Sequence, residues 1–297
     1  MVPVQLLLSI LLVSEAPKGR DALTDVSPIE ACVAQLVAAL AAPNRQVRLD
    51  AQHELLALPA EAEGVLAAAK APAGFEPAAA LEYVRQHRPR PARQCRIEAG
   101  SFRVGSSFPA DNNPPRDVVL GAYTIDDIEV SSFEWWRFVR RAKGAVPANW
   151  RGDRHAYGAE RVPVGLVSPD EALRFAGWAG GRLPTTDEWE VAAHSGDPRP
   201  YPWGQQFMTV LRAPEFSSWR SGGLPPESAR DPADRSPCGA YDFCASVGEW
   251  VVLPDGTVAS RGGSFRVTKE LLRMTRAADT RNIRAREIIG LRLADRR

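Results

Sequence analysis

The side chains able to do chemistry are few and scattered. Four cysteines stand in the chain, Cys32, Cys95, Cys238 and Cys244. Cys238 and Cys244 share a short turn-rich segment, which makes them the first candidates for a disulfide, with buried free thiols as the alternative. Their spacing is not Cys-x-x-Cys and neither has a histidine beside it, so no zinc site is indicated. His53, His87, His155 and His194 show no metal-ligand spacing among themselves. Between residues 266 and 286 stand Arg266, Lys269, Arg273, Arg276, Arg281, Arg284 and Arg286, against only Glu270 and Asp279. Such a stretch is either a solvated face or a surface for an anionic ligand, because guanidinium groups grip carboxylate or phosphate through paired donors. Arg151-Gly152-Asp153 is too short a match to carry a function.

Three glutamates of the kind used in acid catalysis have a structural task first. Ser131-x-x-Glu134, Ser168-x-x-Glu171 and Thr185-x-x-Glu188 are capping boxes, in which hydroxyl and carboxylate satisfy backbone donors at a helix start. They predict helices over 135–141, 172–179 and 189–194. Short strands are predicted over 95–99, 102–104, 118–120 and 123–126, separated by Gly, Pro and Asn. From 196 to 258 the chain is turn-rich with little periodicity, and the six Trp from Trp150 to Trp250 are the expected anchors.

The first part of the chain is built differently. Ile29, Val33, Leu36, Val37 and Leu40 recur on one helical face behind Ser27-Pro28, an N-cap with Pro at the first helical position. Further helices are predicted over 46–58, 60–70 and 77–86. Residues 28–90 hold 18 Ala and no Trp, whereas all eight Trp and nine of the ten Phe lie beyond residue 100. This asymmetry implies two separate cores within the 297 residues. The organisation expected is a candidate signal peptide over 1–16, a small helical, HEAT-like module over 17–90, a linker over 91–94 and a second domain over 95–297. The signal reading rests on the apolar run from Val4 to Val13 followed by Ser14 and Ala16, and implies a periplasmic or secreted protein. No basic residue precedes the run, and a buried N-terminal helix in a cytoplasmic protein is the alternative. No later run of 18 apolar residues could span a bilayer, and a net charge of +1 excludes whole-chain attraction to nucleic acid.

Eight blocks then follow in a recognisable order. They are Ala99-Gly100-Ser101-Phe102-Arg103-Val104-Gly105-Ser106, Ile125-Asp126-Asp127-Ile128-Glu129-Val130, Gly181-Arg182-Leu183-Pro184-Thr185-Thr186-Asp187-Glu188-Trp189-Glu190 and Tyr201-Pro202-Trp203-Gly204. The others are Gly239-Ala240-Tyr241-Asp242-Phe243, Val247-Gly248-Glu249-Trp250, Arg261-Gly262-Gly263-Ser264-Phe265 and Gly290-Leu291-Arg292. Over 95–297 the chain resembles the formylglycine-generating enzyme family, the sulfatase-modifying-factor domains. The resemblance implies an α+β fold, a variant of the C-type-lectin fold with little regular secondary structure. It gives Glu188, Trp189, Trp203, Glu249, Trp250, Arg261, Gly262, Gly263 and Arg292 structural roles, with Glu249 in a buried ion pair with Arg261 or Arg292.

The family contains copper-dependent oxidases that turn a sulfatase cysteine into formylglycine, iron-dependent sulfoxide synthases, and non-catalytic binding domains. The oxidases carry a pair of cysteines after the Arg-Gly-Gly-Ser block. Here Val267 and Leu272 stand at those positions, and no cysteine follows Ser264. Cu(I) needs soft thiolates, so copper and the copper reaction are not expected. The iron chemistry needs several imidazoles, of which only His53 and His87 lie in the helical region. Structural calcium is expected to be weak: Glu249 of the calcium-binding segment remains, but Ser246 and Gly248 replace an Asn and a Trp of the family pattern. The function expected is therefore a non-catalytic domain binding an anionic ligand or a protein partner through Arg266, Lys269, Arg273, Arg276 and Arg281. The alternatives are a metal-dependent oxidase with an altered ligand set and a hypervariable, retroelement-diversified binding protein.

Overall fold

The computed structural model describes residues 27–89, 92–150, 152, 155, 158–197, 199–206, 232–244, 246–264, 272–277 and 288–296. The candidate signal segment 1–16 lies outside them. The chain forms two compact units, Met1–Arg90 and Pro91–Arg297.

The first unit is helical. Helix α1 (Pro28–Ala39) starts where Ser27 accepts from the Glu30 N–H while the Glu30 carboxylate accepts from Ser27 N–H, and it buries Cys32, Val33, Leu36 and Val37. Helix α2 (Arg45–Leu56) is capped by Asn44 and buries Ala51, His53, Leu55 and Leu56. A 3₁₀ turn, Ala60–Ala62, leads into the short α3 (Glu63–Ala68). Helix α4 (Phe75–His87) buries Leu81, Tyr83 and Val84. The apolar stripes of these helices supply the core of this unit without any Trp.

The second unit is mixed. Strands β1 (Gln94–Ile97), β2 (Gly100–Val104), β3 (Arg116–Leu120) and β4 (Tyr123–Asp126) form two antiparallel ribbons, β1 with β4 and β2 with β3. Helices α5 (Ser132–Ala142), α6 (Pro169–Trp178) and α7 (Thr186–His194) follow. Strands β5 (Gly248–Val252), β6 (Val258–Arg261) and β7 (Ile289–Gly290) make a three-stranded sheet in the order β6-β5-β7, with β7 parallel to β5. Within the stretch 196–258, read from the sequence as turn-rich with little periodicity, the structure places β5. Its side chains are buried on both faces, so the in–out alternation that marks a strand is missing from Gly248-Glu249-Trp250-Val251. Gln94 belongs to β1, and Arg93 already donates its N–H to the Asp127 carboxylate and accepts from Asp127 N–H at its C=O. The 91–94 segment, expected as a linker, is therefore counted with the second unit.

Among the described residues two large apolar cores, and a small cluster of Val247 and Ile288, hold this unit. One gathers Trp189, Phe243, Cys244, Leu272 and Met274 between α7 and the sheet. The other gathers Trp135, Phe138, Phe175, Trp250 and Leu291 between α5, α6 and the far face. In the latter Trp135 stacks on Phe175 at 5.2 Å, and Phe138 meets Phe175 edge-on at 5.5 Å, geometries favoured by aromatic quadrupoles. The segment from Ile288 to Asp295 threads between the earlier elements. Asp126 N–H bonds Leu293 C=O, Val130 N–H bonds Leu291 C=O, and Arg182 and Ala294 exchange two backbone bonds. Among the described residues no helix is long and apolar enough to cross a membrane.

Candidate functional site

The centre of the second unit is built on α7. Its N-cap Thr185 and Glu188 form the predicted capping box, and the Glu188 carboxylate also takes both outer nitrogens of Arg182 at 2.7 Å. The next two residues of the helix point into the core and organise two buried ionic clusters, one on each side of the Trp189 indole.

The first cluster belongs to Glu190. Its carboxylate accepts from Arg261 at 2.7 and 2.8 Å, from Gly105 N–H at 2.7 Å and from the Asn113 amide at 3.0 Å, with His194 Nε2 at 3.4 Å. Burial alone would raise this carboxyl, but the Arg261 charge, His194 and the Gly105 N–H outweigh it and hold it down at about 2. Arg261 is pulled the other way, lowered by burial against the attraction of its acidic neighbours. The pair is therefore held by hydrogen-bond geometry that offsets a real desolvation cost. Asn113 extends the cluster by donating to Thr275 C=O at 3.0 Å. Thr275 Oγ1 in turn donates to Asp111 at 2.7 Å, and Arg273 donates to the other Asp111 oxygen at 2.5 Å.

The second cluster belongs to Glu249. Arg292 grips both of its oxygens, through Nε and Nη2 at 2.7 Å each, and Trp189 Nε1 adds a third bond at 2.8 Å. Arg292 also donates to the Tyr241 and Asp126 carbonyls and lies 3.9 Å from the centre of the Phe243 ring. Its pKa is raised: burial lowers it, and Glu249 with other buried acids more than compensates.

These contacts place most of the structural residues named from the sequence. Glu249 pairs with Arg292, whereas Arg261 turns to Glu190. Gly262 adopts φ +72°, and a Cβ there would lie 3.1 Å from Phe243 C=O and 3.2 Å from the Trp189 ring. Gly263 is buried beside it. Trp250 Nε1 donates to Val167 C=O at 3.0 Å, and Trp203 lies flat on Tyr201 at 5.4 Å. The Ser168 cap differs in part from its prediction: Glu171 gives its carboxylate to Ala145 N–H and Arg174 instead of returning it to Ser168.

Other residues stand differently from their expected roles. Cys238 and Cys244 are not joined. Cys244 is buried and donates to Leu272 C=O, while Cys238 donates to Ala192 C=O and contacts Ser236 Oγ and Cys95. Arg273, counted among the ligand-binding cations, is committed to Asp111 and lies over the Phe108 ring at 4.5 Å. Arg276 is half-buried, with its N–H on Arg273 C=O. Arg266, Val267, Lys269 and Arg281 lie outside the described residues, as do Arg284 and Arg286. Leu272 is buried in the first core beside Met274. The histidines are dispersed. His87 stacks on Tyr83, His155 meets Phe133 and Trp150 edge-on, and His194 joins Glu190. Among the described residues no three His, Cys, Asp or Glu side chains converge as metal ligands. Glu249, the calcium candidate, has its oxygens on the Arg292 guanidinium and the Trp189 indole.

A profile of the sulfatase-modifying factor enzyme 1-like domain matches residues 80–297. The chain belongs to this family. Curated relatives of this family member include hercynine oxygenase of Mycobacterium tuberculosis, 33% identical over 178 residues, covering 53% of this chain and 39% of the relative. Inactive C-alpha-formylglycine-generating enzyme 2 of Mus musculus is 33% identical over 162 residues, covering 51% and 50%. The chain thus spans half or less of these relatives' lengths. Among solved structures, PvdO from Pseudomonas aeruginosa superposes with a TM-score of 0.52 at 20% identity, covering 68% of this chain and 93% of that one. That likeness establishes the shared fold. The family includes enzymes and inactive members alike, so activity must be argued from the side chains present.

Proposed function

We propose that this family member is a non-catalytic binding domain. The observation that carries the reading is Leu272. It stands at one of the two positions where the oxidases keep thiols, and it is sealed in an apolar core with Met274 and Cys244 around it. A side chain there is enclosed by apolar neighbours, and the partner position, Val267, offers no ligand atom. The rest of the centre is committed to structure, since Glu190 pairs with Arg261 and Glu249 with Arg292. An inactive relative at 33% identity is in keeping with this reading. The partner is anionic, with Arg273 withdrawn from the contact set by Asp111 and the role left to Arg266, Lys269, Arg276 and Arg281.

The test is incubation of a Cys-x-Pro-x-Arg peptide with the protein, Cu(I) and O₂, followed by mass spectrometry. The peptide is expected to emerge unchanged. Catalytic appearance of the aldehyde product overturns the proposal. Binding of polyphosphate that survives joint reversal of Arg266, Lys269 and Arg281 to Glu removes its anionic part. The similarity to hercynine oxygenase favours one second reading, an oxidase with an altered ligand set. Stoichiometric iron in the purified protein, lost on substitution of His53 or His87, would support it.

A further inference from the structure

The cysteine chemistry of this chain lies between Cys95 and Cys238, which are remote in sequence. A single residue, Asp127, anchors the backbone next to both. On one side Arg93 N–H donates to Asp127 Oδ1 at 2.7 Å, and Arg93 C=O accepts from Asp127 N–H at 2.8 Å. On the other side Tyr241 N–H donates to Asp127 C=O at 2.8 Å. Between Ser236 and Ala240 the chain closes a turn through Ser236 N–H to Ala240 C=O at 2.7 Å and Gly239 N–H to Ser236 C=O at 2.9 Å. Gly239 has φ +101°, and a Cβ on it would sit 3.7 Å from Cys95 Sγ. The turn thus sets Cys238 against β1, where Cys95 pairs with Ile125 of β4. Gly239 directly follows Cys238, so this approach puts Cys95 Sγ beside the Cys238 thiol, and each of the two shifts the other's proton affinity. Both side chains lie half-buried at the margin of the first core, while Cys32 and Cys244 are buried.

We propose that Cys95 and Cys238 are a redox pair that closes reversibly into an intramolecular disulfide by exchange with a low-molecular-weight disulfide such as oxidised glutathione. Cys238 is the attacking sulfur. The Cys238 thiol, which donates to Ala192 C=O at 3.2 Å, first gives that proton to solvent; the neighbouring Cys95 and then the Ser236 hydroxyl favour its thiolate against burial and lower its pKa, while Cys95 is raised and keeps its proton. The Cys238 thiolate attacks one sulfur of the small disulfide, whose S–S bond breaks to release one small thiolate. That thiolate takes up the Cys95 proton. The Cys95 thiolate then attacks Cys238 Sγ, and the second small thiolate leaves and is protonated by water. The two protein thiols lose two electrons, and one small disulfide becomes two thiols. The resulting bond ties β1, at the start of the second unit, to the 236–240 turn.

The test uses the full chain, equilibrated with oxidised glutathione and mapped by mass spectrometry without reduction. One cross-linked peptide pair joining Cys95 to Cys238 is expected, with two of the four thiols left for titration after denaturation. Dithiothreitol should restore all four. Cys32→Ser and Cys244→Ser should leave the bond intact. In Cys95→Ser the exchange should stop at Cys238 mixed with glutathione, and in Cys238→Ser no cross-link should form. Oxidation should raise the melting midpoint of the wild type and leave that of Cys95→Ser unmoved. Four free thiols after oxidation, a bond to Cys244, or wild-type protein that stops at the mixed disulfide would each overturn the proposal.

Discussion

Glu190→Gln should uncouple the centre of the second unit from pH. The amide keeps the volume of the carboxylate and removes its charge. Held at about 2 in the folded chain against an ordinary 4.5, the Glu190 carboxyl contributes up to about 3 kcal/mol of folding stability at neutral pH. The sign follows from a folded pKa below the unfolded one: the contribution is complete above 4.5 and disappears as pH falls towards 2. Desolvation of Arg261 offsets part of it. The substitution also leaves Arg261 buried without a counter-charge, so the loss expected at pH 7 is about 3–5 kcal/mol. Urea unfolding followed by Trp fluorescence is the assay, because every Trp lies in the second unit. The stability gap between wild type and variant should narrow by about 3 kcal/mol between pH 6 and pH 2. A gap that stays constant across that range would refute the assignment of Glu190 as the ionised hub.

Arg273→Ala should cost about 3 kcal/mol by stranding the buried Asp111 carboxylate, whereas Arg103→Ala, which breaks an exposed pair with Asp117, should cost under about 1 kcal/mol. Thermal melts of the two variants separate these cases, and equal losses would return Arg273 to the free surface. Gly262→Ala should destabilise by about 1–3 kcal/mol because strained φ and the Trp189 contact combine, and more than Gly256→Ala, where φ is +83° but nothing lies within 4 Å. Denaturant midpoints of that pair give the comparison. The fragment 91–297 should fold alone with a near-ultraviolet Trp signal and a cooperative melt, since its two cores draw on no residue before Cys95.

Local chemistry was legible in the sequence and long-range partnership was not. Ser27-Pro28, Ser131-x-x-Glu134 and Thr185-x-x-Glu188 announced helix starts, because capping is decided within one turn of chain. The ordered motif blocks announced the family. By contrast, Glu249 had two candidate arginines, and only the fold shows that Arg292 takes it while Arg261, its register partner on β6, turns to Glu190. Of the two readings open for Cys238 and Cys244, a bond between neighbours or free thiols, the structure has free thiols. A turn sends their side chains to different places, and the true neighbour of Cys238 sits on β1. The basic stretch misled, since nothing near Arg273 in sequence hints that Asp111 will claim it.

The threading of residues 288–295 through the second unit bears on the order of assembly during synthesis. The helical unit is made of neighbours along the chain and can settle as soon as it leaves the ribosome. The second unit cannot. Strands β1 to β4 are translated early, yet Asp126, Val130 and Arg182 wait for backbone partners at Leu293, Leu291 and Ala294. Until those residues emerge, β5 has one open edge and Glu249 faces the core without Arg292. A nascent chain stalled before residue 288 would therefore expose apolar sheet and an uncompensated buried acid together, the kind of intermediate that chaperones hold.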